Sequence, residues 1–304
     1  MSAHVRAFPQ RHAASTRSGA RLWGIVVGGS EAPARALDSA VLLHARREHR
    51  RAGAPQASEA RLRRTIERAL RLIPARHLVA VLARDTAPGG TRALTGLPEV
   101  RCIVQPRHRG SAAEVFLPLL GIARQDPEAT VVVLPSEHLG GRDGRFMLTV
   151  EKAVWAVGLR PDLLVLVGTA TQRPEPTYGW IEPGALVEGL EHLAARSVRS
   201  FVHDRAVDRR CAGAGAALLG TLALVGRVQT LLALGERHLP EVLETLEPLE
   251  PALGGPEERL LCEAIYECMP HASISRELLE RGDPLAVLQV PEALVTERGD
   301  LLAS

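Results

Sequence analysis

Five short apolar runs in the first 170 residues limit the folds open to this chain more than any other feature. They read RLWGIVVGG (21–29), HLVAVLA (77–83), VRCIVQP (100–106), ATVVVLPS (129–136) and PDLLVLVGTA (161–170). Each is almost continuously apolar and ends at glycine, proline or a polar residue, as a strand buried on both faces does. The stretches between them carry helical spacing instead. Residues 59–73 place Leu62, Ile66, Ala69, Leu70 and Ile73 on one face of an amphipathic helix. A second helix is expected over 111–124, with Ser111 as its N-cap and Pro118 as a kink or first-turn residue. A third covers 144–159. Strands and helices alternating in this way predict an α/β fold, Rossmann-like, with a mostly parallel sheet covered by helices on both faces.

The C-terminal third is less regular. Helices are expected across the leucine-rich 225–253, of which 228–253 also offers an interface, and across 257–269; LAVLQV (285–290) reads as a last strand. No linker divides the chain, so residues 21–304 are expected to form one domain behind a disordered arm at 1–20. That arm has arginines but no apolar core, which excludes a secretory signal. The most membrane-like run, CAGAGAALLGTLALVG (211–226), falls short of the ~20 residues a spanning helix needs. It reads as a buried strand with its flanks. A cytoplasmic protein without membrane contact is the expectation.

Composition narrows the function. A net charge of +2 gives no case for a polyanionic partner, and 3% aromatics leave few stacking platforms for nucleic acid. The basic stretch HARREHRRAG (44–53) is read as a solvated face, or as a compensating phosphate contact, rather than a nucleic-acid surface. Cysteines 102, 211, 262 and 268 form no CxxC pair and are read as reduced thiols. Ser136 lacks a GxSxG elbow, and His108, His138 and His203 are three of eleven scattered histidines, too weak a basis for a metal site. Lys152 is the only lysine, so no mechanism can use one elsewhere.

In a parallel sheet, ligands bind outside the carboxyl ends of the strands. That places Gly28–Gly29, Gln105–Gly110 and Pro135–His138 at one rim. Taken in order, these segments resemble the sugar nucleotidyltransferases, and most of all the mannose-1-phosphate guanylyltransferases. VQPRHRGSAAEV (104–115) is similar to the family's QPxNRGTAPAI, VVVLPSEH (131–138) to its VLPSDH, and LVGTATQRPEPTYGWIEPG (166–184) to its GIxPTRPETGYGYIEPG. The resemblance implies a nucleotidyltransferase fold and a reaction in which mannose-1-phosphate attacks the α-phosphorus of GTP, giving GDP-mannose and pyrophosphate with Mg²⁺. It also implies positions. Gly28, Gly29, Gln105, Arg109, Gly110 and Ser111 would face the nucleotide, Tyr178, Gly179 and Glu182 the sugar, and Glu137 and Glu297 the metal. The same residues admit a structural reading, in which Gly179 and Gly184 serve turns while Tyr178 and Trp180 anchor a hairpin.

The chain departs from the family at five segments that carry chemistry. In the first loop, the third glycine of GGxGTRL becomes Glu31 and its arginine falls on Pro33, unless Arg35 substitutes. A carboxylate there repels a triphosphate. The PKQ segment is reduced to Pro55-Gln56, without its lysine. FxEKP appears as FVHDR (201–205), and WNS as Leu219-Gly220-Thr221. The two metal aspartates become Glu137 and Glu297, whose extra methylene suits octahedral Mg²⁺ poorly. Sequence therefore predicts a degenerate family member that acts as a binding or regulatory partner, pairing with an active paralogue or with itself. The alternative is an active guanylyltransferase using Mg²⁺, with GTP and a sugar phosphate as ligands.

Overall fold

The structure, a computed structural model, describes residues 21–28, 55–84, 87–136, 144–170, 179–203, 217–253 and 255–291. All five expected strands form: β1 (Leu22–Val27), β2 (Leu78–Ala83), β3 (Arg101–Gln105), β4 (Thr130–Pro135) and β5 (Leu164–Thr169). Helix α1 (Pro55–Ala69) lies between β1 and β2, α2 (Ala87–Ala93) precedes β3, α3 (Ser111–Gln125) follows it, and α4 (Arg145–Leu159) follows β4. Four further strands are β6 (Trp180–Leu186), β7 (Arg196–Val202), β8 (Leu218–Arg227) and β9 (Leu285–Val290). Helices α5 (Val228–His238), α6 (Pro240–Leu246) and α7 (Glu258–Cys268) fill the interval between β8 and β9.

The nine strands run in the order β3-β2-β1-β4-β8-β5-β9-β7-β6. Pairs β3–β2, β2–β1, β1–β4 and β5–β9 are parallel. The remaining pairs, all involving β6, β7 or β8, are antiparallel. Because β6 also pairs with β8, strands β8, β5, β9, β7 and β6 close on themselves into a five-stranded barrel of mixed direction. The expectation of a mostly parallel sheet therefore holds for β1–β4 and needs correction beyond them. A continuous apolar run reports burial on both faces and says nothing of direction. Strand β8 is such a run, and it is antiparallel to both β4 and β5.

Side chains alternate across the sheet and build a core on each face. Trp23 and Ile25 of β1 join α3, α5, α6 and α7 on one side. Leu22 and Val26 join α1 and α4 on the other. The leucines of 228–253, read above as an interface, are consumed here: Leu231, Leu234, Leu246 and Leu249 are buried among α3 and α7. Ser111 is likewise not an N-cap; Gly110 holds that position and no side chain caps the helix. Helix α3 continues through the buried Pro118, forgoing one backbone hydrogen bond.

Two cysteines of α7 stand in contrasting surroundings. Cys268 is exposed, while Cys262 is buried, which pushes its thiol up to about 11. Reactivity requires the thiolate. At pH 8, alkylation followed by peptide mapping should label Cys268 readily and Cys262 only after denaturation. No described helix is long and apolar enough to cross a membrane.

Candidate functional site

Strand register gathers the signature segments at one end of the molecule. Val27 lies level with Val81 and Pro135, and Ala83 with Gln105, so β1–β4 all finish at this rim. Antiparallel pairing brings the start of β8 to the same level, with Leu219 opposite both Thr169 and Trp180, and Val202 opposite Trp180 in turn. Gly28, Gln105, Ser136, Gly179, Val202 and Leu219 thus share one end. Gly29, Glu31, Pro33, Arg35, Glu137, Tyr178 and Glu297 lie outside the described residues. The last described residues before Gly29, Glu137, Tyr178 and Glu297 are Gly28, Ser136, Ala170 and Pro291, each just beyond a strand that ends at this rim.

Gly28 is held against β2: its N–H donates to the Val81 carbonyl at 2.7 Å, and a Cβ would meet Leu82 at 2.8 Å. Segment 105–112 is clamped more fully. The fully buried Gln105 donates from Nε2 to the Tyr266 hydroxyl at 2.7 Å, while its Oε1 has no hydrogen-bond partner. Arg109 donates from Nε to the Tyr266 carbonyl at 2.7 Å and from Nη2 to the Glu267 carbonyl at 2.8 Å. Ser111 Oγ accepts the Ile274 N–H at 3.0 Å. Between them, Ala272 N–H donates to Arg109 O and Ala112 N–H to Ala272 O, both at 3.1 Å. Gly110 makes this crossing possible at φ 85°, ψ 170°, a region almost confined to glycine. A Cβ there would run into the Ala272 carbonyl.

Beside the clamp opens a cleft of about 440 Å³ lined by Ala83, Arg84, Pro106, Arg107, His108 and Arg109. Three arginines would suit an anion, but each is already engaged. Arg84 pairs with Glu263 at 3.2 Å, Arg107 with Glu267 at 2.6 Å, and Arg109 with the two carbonyls. Helix α7 thus supplies the acids that neutralise the cleft. His108 Nδ1 lies 3.6 Å from the buried Glu114, and the edge of its ring meets His271. Among the described residues, no group of three or more His, Cys, Asp or Glu could hold a metal.

On the barrel side, the altered segments at 201–205 and 219–221 meet Gly179 of the segment that resembles the family. Phe201 packs under Gly179, where a Cβ would strike its ring, and Gly220 N–H donates to the Gly179 carbonyl at 2.8 Å. Thr221 donates to Val167 O at 2.7 Å and accepts from Ala223 N–H at 3.3 Å. This holds a bulge at which Leu222 takes φ 58°. His203 N–H donates to Glu280 Oε1 at 2.6 Å. Gly184 does not serve a turn as expected, because it lies within β6, and Gly179 stands just before that strand. Each is small because β7 presses on it, through Phe201 and Ser197. Trp180 is buried and does anchor the hairpin.

Glu182 faces β7, accepting from Arg199 at 2.7 Å and Ser200 at 3.1 Å. The Arg199 and then the Ser200 hydrogen bond hold its carboxyl below the usual glutamate range. A lowered folded value means that the stabilisation is present above the unfolded value and is lost as pH falls through the lowered one. NMR titration should therefore show Glu182 among the last glutamates to protonate, and Arg199→Ala should raise it toward the ordinary range, leaving the smaller effect of Ser200.

Sequence reasoning missed Tyr266 and Glu114. Glu114, in an otherwise apolar helical stretch, and Tyr266, one of two tyrosines, carried the only local signals.

No family model matches the chain, and no curated protein matches it. Among solved structures, the chain is similar to the mannose-1-phosphate geranyltransferase of Thermus thermophilus, with a TM-score of 0.67 at 20% identity over 89% of this chain and 74% of that one. It is also similar to the mannose-6-phosphate isomerase of Helicobacter pylori, with a TM-score of 0.64 at 13% identity over 89% and 97% of the two chains. At these identities, the likeness establishes a shared fold.

Proposed function

We propose that this chain is a relative of the sugar nucleotidyltransferases, similar to the mannose-1-phosphate guanylyltransferases, that has lost catalysis and acts as a binding or regulatory partner in nucleotide-sugar metabolism. The observation that carries the loss is the state of the cleft arginines. Charge that would meet phosphates is spent on Glu263, Glu267 and two backbone carbonyls. The replacements at Glu31, Pro55-Gln56, 201–205 and 219–221 point the same way. The likeness to a mannose-1-phosphate transferase fold and the order of the rim segments support the ancestry.

The active alternative draws on one observation. Arg84 and Arg107 are well exposed in their ion pairs. Exposed pairs contribute about 0–1 kcal/mol, so a triphosphate could recruit both. Mg²⁺ would then be held by Glu137 and Glu297, and would supply charge neutralisation at the transferring phosphate.

Calorimetric titration with GTP, with and without Mg²⁺, and then with mannose-1-phosphate, separates the two. The degenerate reading expects no Mg²⁺-dependent heat and no pyrophosphate release. Release above background would overturn it. Glu31→Gly should leave the titration unchanged if the site is gone; a gain in GTP affinity would mean that it is only weakened.

A further inference from the structure

The feature that neither the site nor the fold absorbs is the outer face of α4. Its inner positions Thr149, Val150, Ala153, Val154, Ala156 and Val157 are buried against the sheet. Its outer face leaves Leu148, Trp155 and Leu159 at 57%, 61% and 58% exposure, half of the large apolar residues so exposed in the described chain. At 3.6 residues per turn, these three fall with Gly144, Glu151 and Lys152 on one stripe about 100° wide. Glu151 and Lys152, the chain's sole lysine, have no ion-pair partner among the described residues.

We propose that the outer face of α4 is a two-fold surface on which a second copy of this chain docks, its α4 antiparallel to the first. The order of residues carries the choice of occupant. A two-fold axis between Glu151 and Lys152 sets Leu148 of each copy opposite Trp155 of the other. The same axis sets Glu151 opposite Lys152, twice, and brings Leu159 over Gly144, where no described atom lies within 4 Å of the position a Cβ would take. Every position on the stripe thus meets a partner of fitting chemistry on its own copy, as an isologous interface requires. A different protein would need to carry this pattern reversed. The two Leu148–Trp155 pairs flank the central charge pairs, and each buries a tryptophan, a residue type that often dominates binding energy. One helix pair buries less than the ~1,200 Å² typical of stable complexes, so micromolar self-association is expected. The proposal does not depend on the reading of the cleft.

Sedimentation velocity of the full chain from about 1 to about 200 µM tests this across the range that such a contact area implies. The native chain should pass from monomer to dimer. Trp155→Glu and Lys152→Glu should each remain monomeric at the top concentration, with unchanged thermal midpoints, since both side chains are exposed. Lys152→Glu sets two like-charged pairs face to face; adding Glu151→Lys reverses both pairs and should restore the dimer. A chain that stays monomeric throughout overturns the proposal. So does a dimer that survives Trp155→Glu, because its interface would then lie elsewhere. Failure of the double charge reversal to rescue overturns the antiparallel register.

Discussion

Gly110→Ala is expected to lower the thermal midpoint by about 10 °C, reflecting a loss of about 3 kcal/mol or more. Two effects add at this residue. The backbone sits where a side chain is strained by about 1–3 kcal/mol. The new methyl would also enter the Ala272 carbonyl, which cannot withdraw, because it accepts Ala112 N–H while Ala272 N–H donates to Arg109 O. Gly96 provides the control. It has φ 79° with no described atom within 4 Å of where a methyl would stand, so Gly96→Ala should cost only the strain of a left-handed alanine, about 1–2 kcal/mol. Calorimetric melting of both variants checks the prediction. Equal losses would mean that the contact between 105–112 and 266–274 is loose, and that Gly110 is kept for a ligand's approach rather than for the chain's own packing.

That contact also shows where sequence stops being legible. VVVLP of β4 is readable because five consecutive apolar residues have no place outside a buried strand. RSVRSFV of β7 is not, because only Phe201 is buried, while Arg196 and Arg199 are exposed and the others half-buried. The closure of Trp180 on Leu219 joins strands about forty residues apart, and no local pattern encodes it. The rim was legible for the same reason as the strands: a carboxyl end is fixed once direction is fixed, and β1–β4 are parallel. Gln105, Arg109 and Ser111 were visible as a segment. What they do depends on Tyr266, Glu267 and Ile274, some 160 residues later, and a hydrogen bond over that separation leaves no periodicity to read. Gln105, Arg109 and Ser111, which the family resemblance sets beside a nucleotide, bond in the folded chain to α7 and the segment after it.

A functional consequence follows from the strength of those bonds. A ligand that drew Arg109 into the cleft would strip donors from two carbonyls, each at a cost comparable to a lost hydrogen bond. Recruiting Arg84 or Arg107 breaks only an exposed pair. The cleft therefore keeps its shape more firmly than its charge.

Tyr266→Phe should cost about 1–3 kcal/mol, although it removes a single oxygen, because it leaves the fully buried Gln105 amide without a partner at either end. Replacing both residues removes the penalty: Tyr266→Phe with Gln105→Met presents two apolar groups of similar size, and should recover most of the loss. Chemical denaturation of the two single variants and the double gives the coupling directly. Additive losses would mean that the hydroxyl and the amide act separately. A second readout follows from ionisation. Burial pushes the Tyr266 phenol well above its ordinary 10.0. A folded value raised above the unfolded one gives stability that is complete below pH 10 and is lost as pH rises beyond it. The native chain should therefore lose stability more steeply than Tyr266→Phe at strongly alkaline pH, so that the two converge. Parallel curves would show that the phenol is not held protonated by the fold.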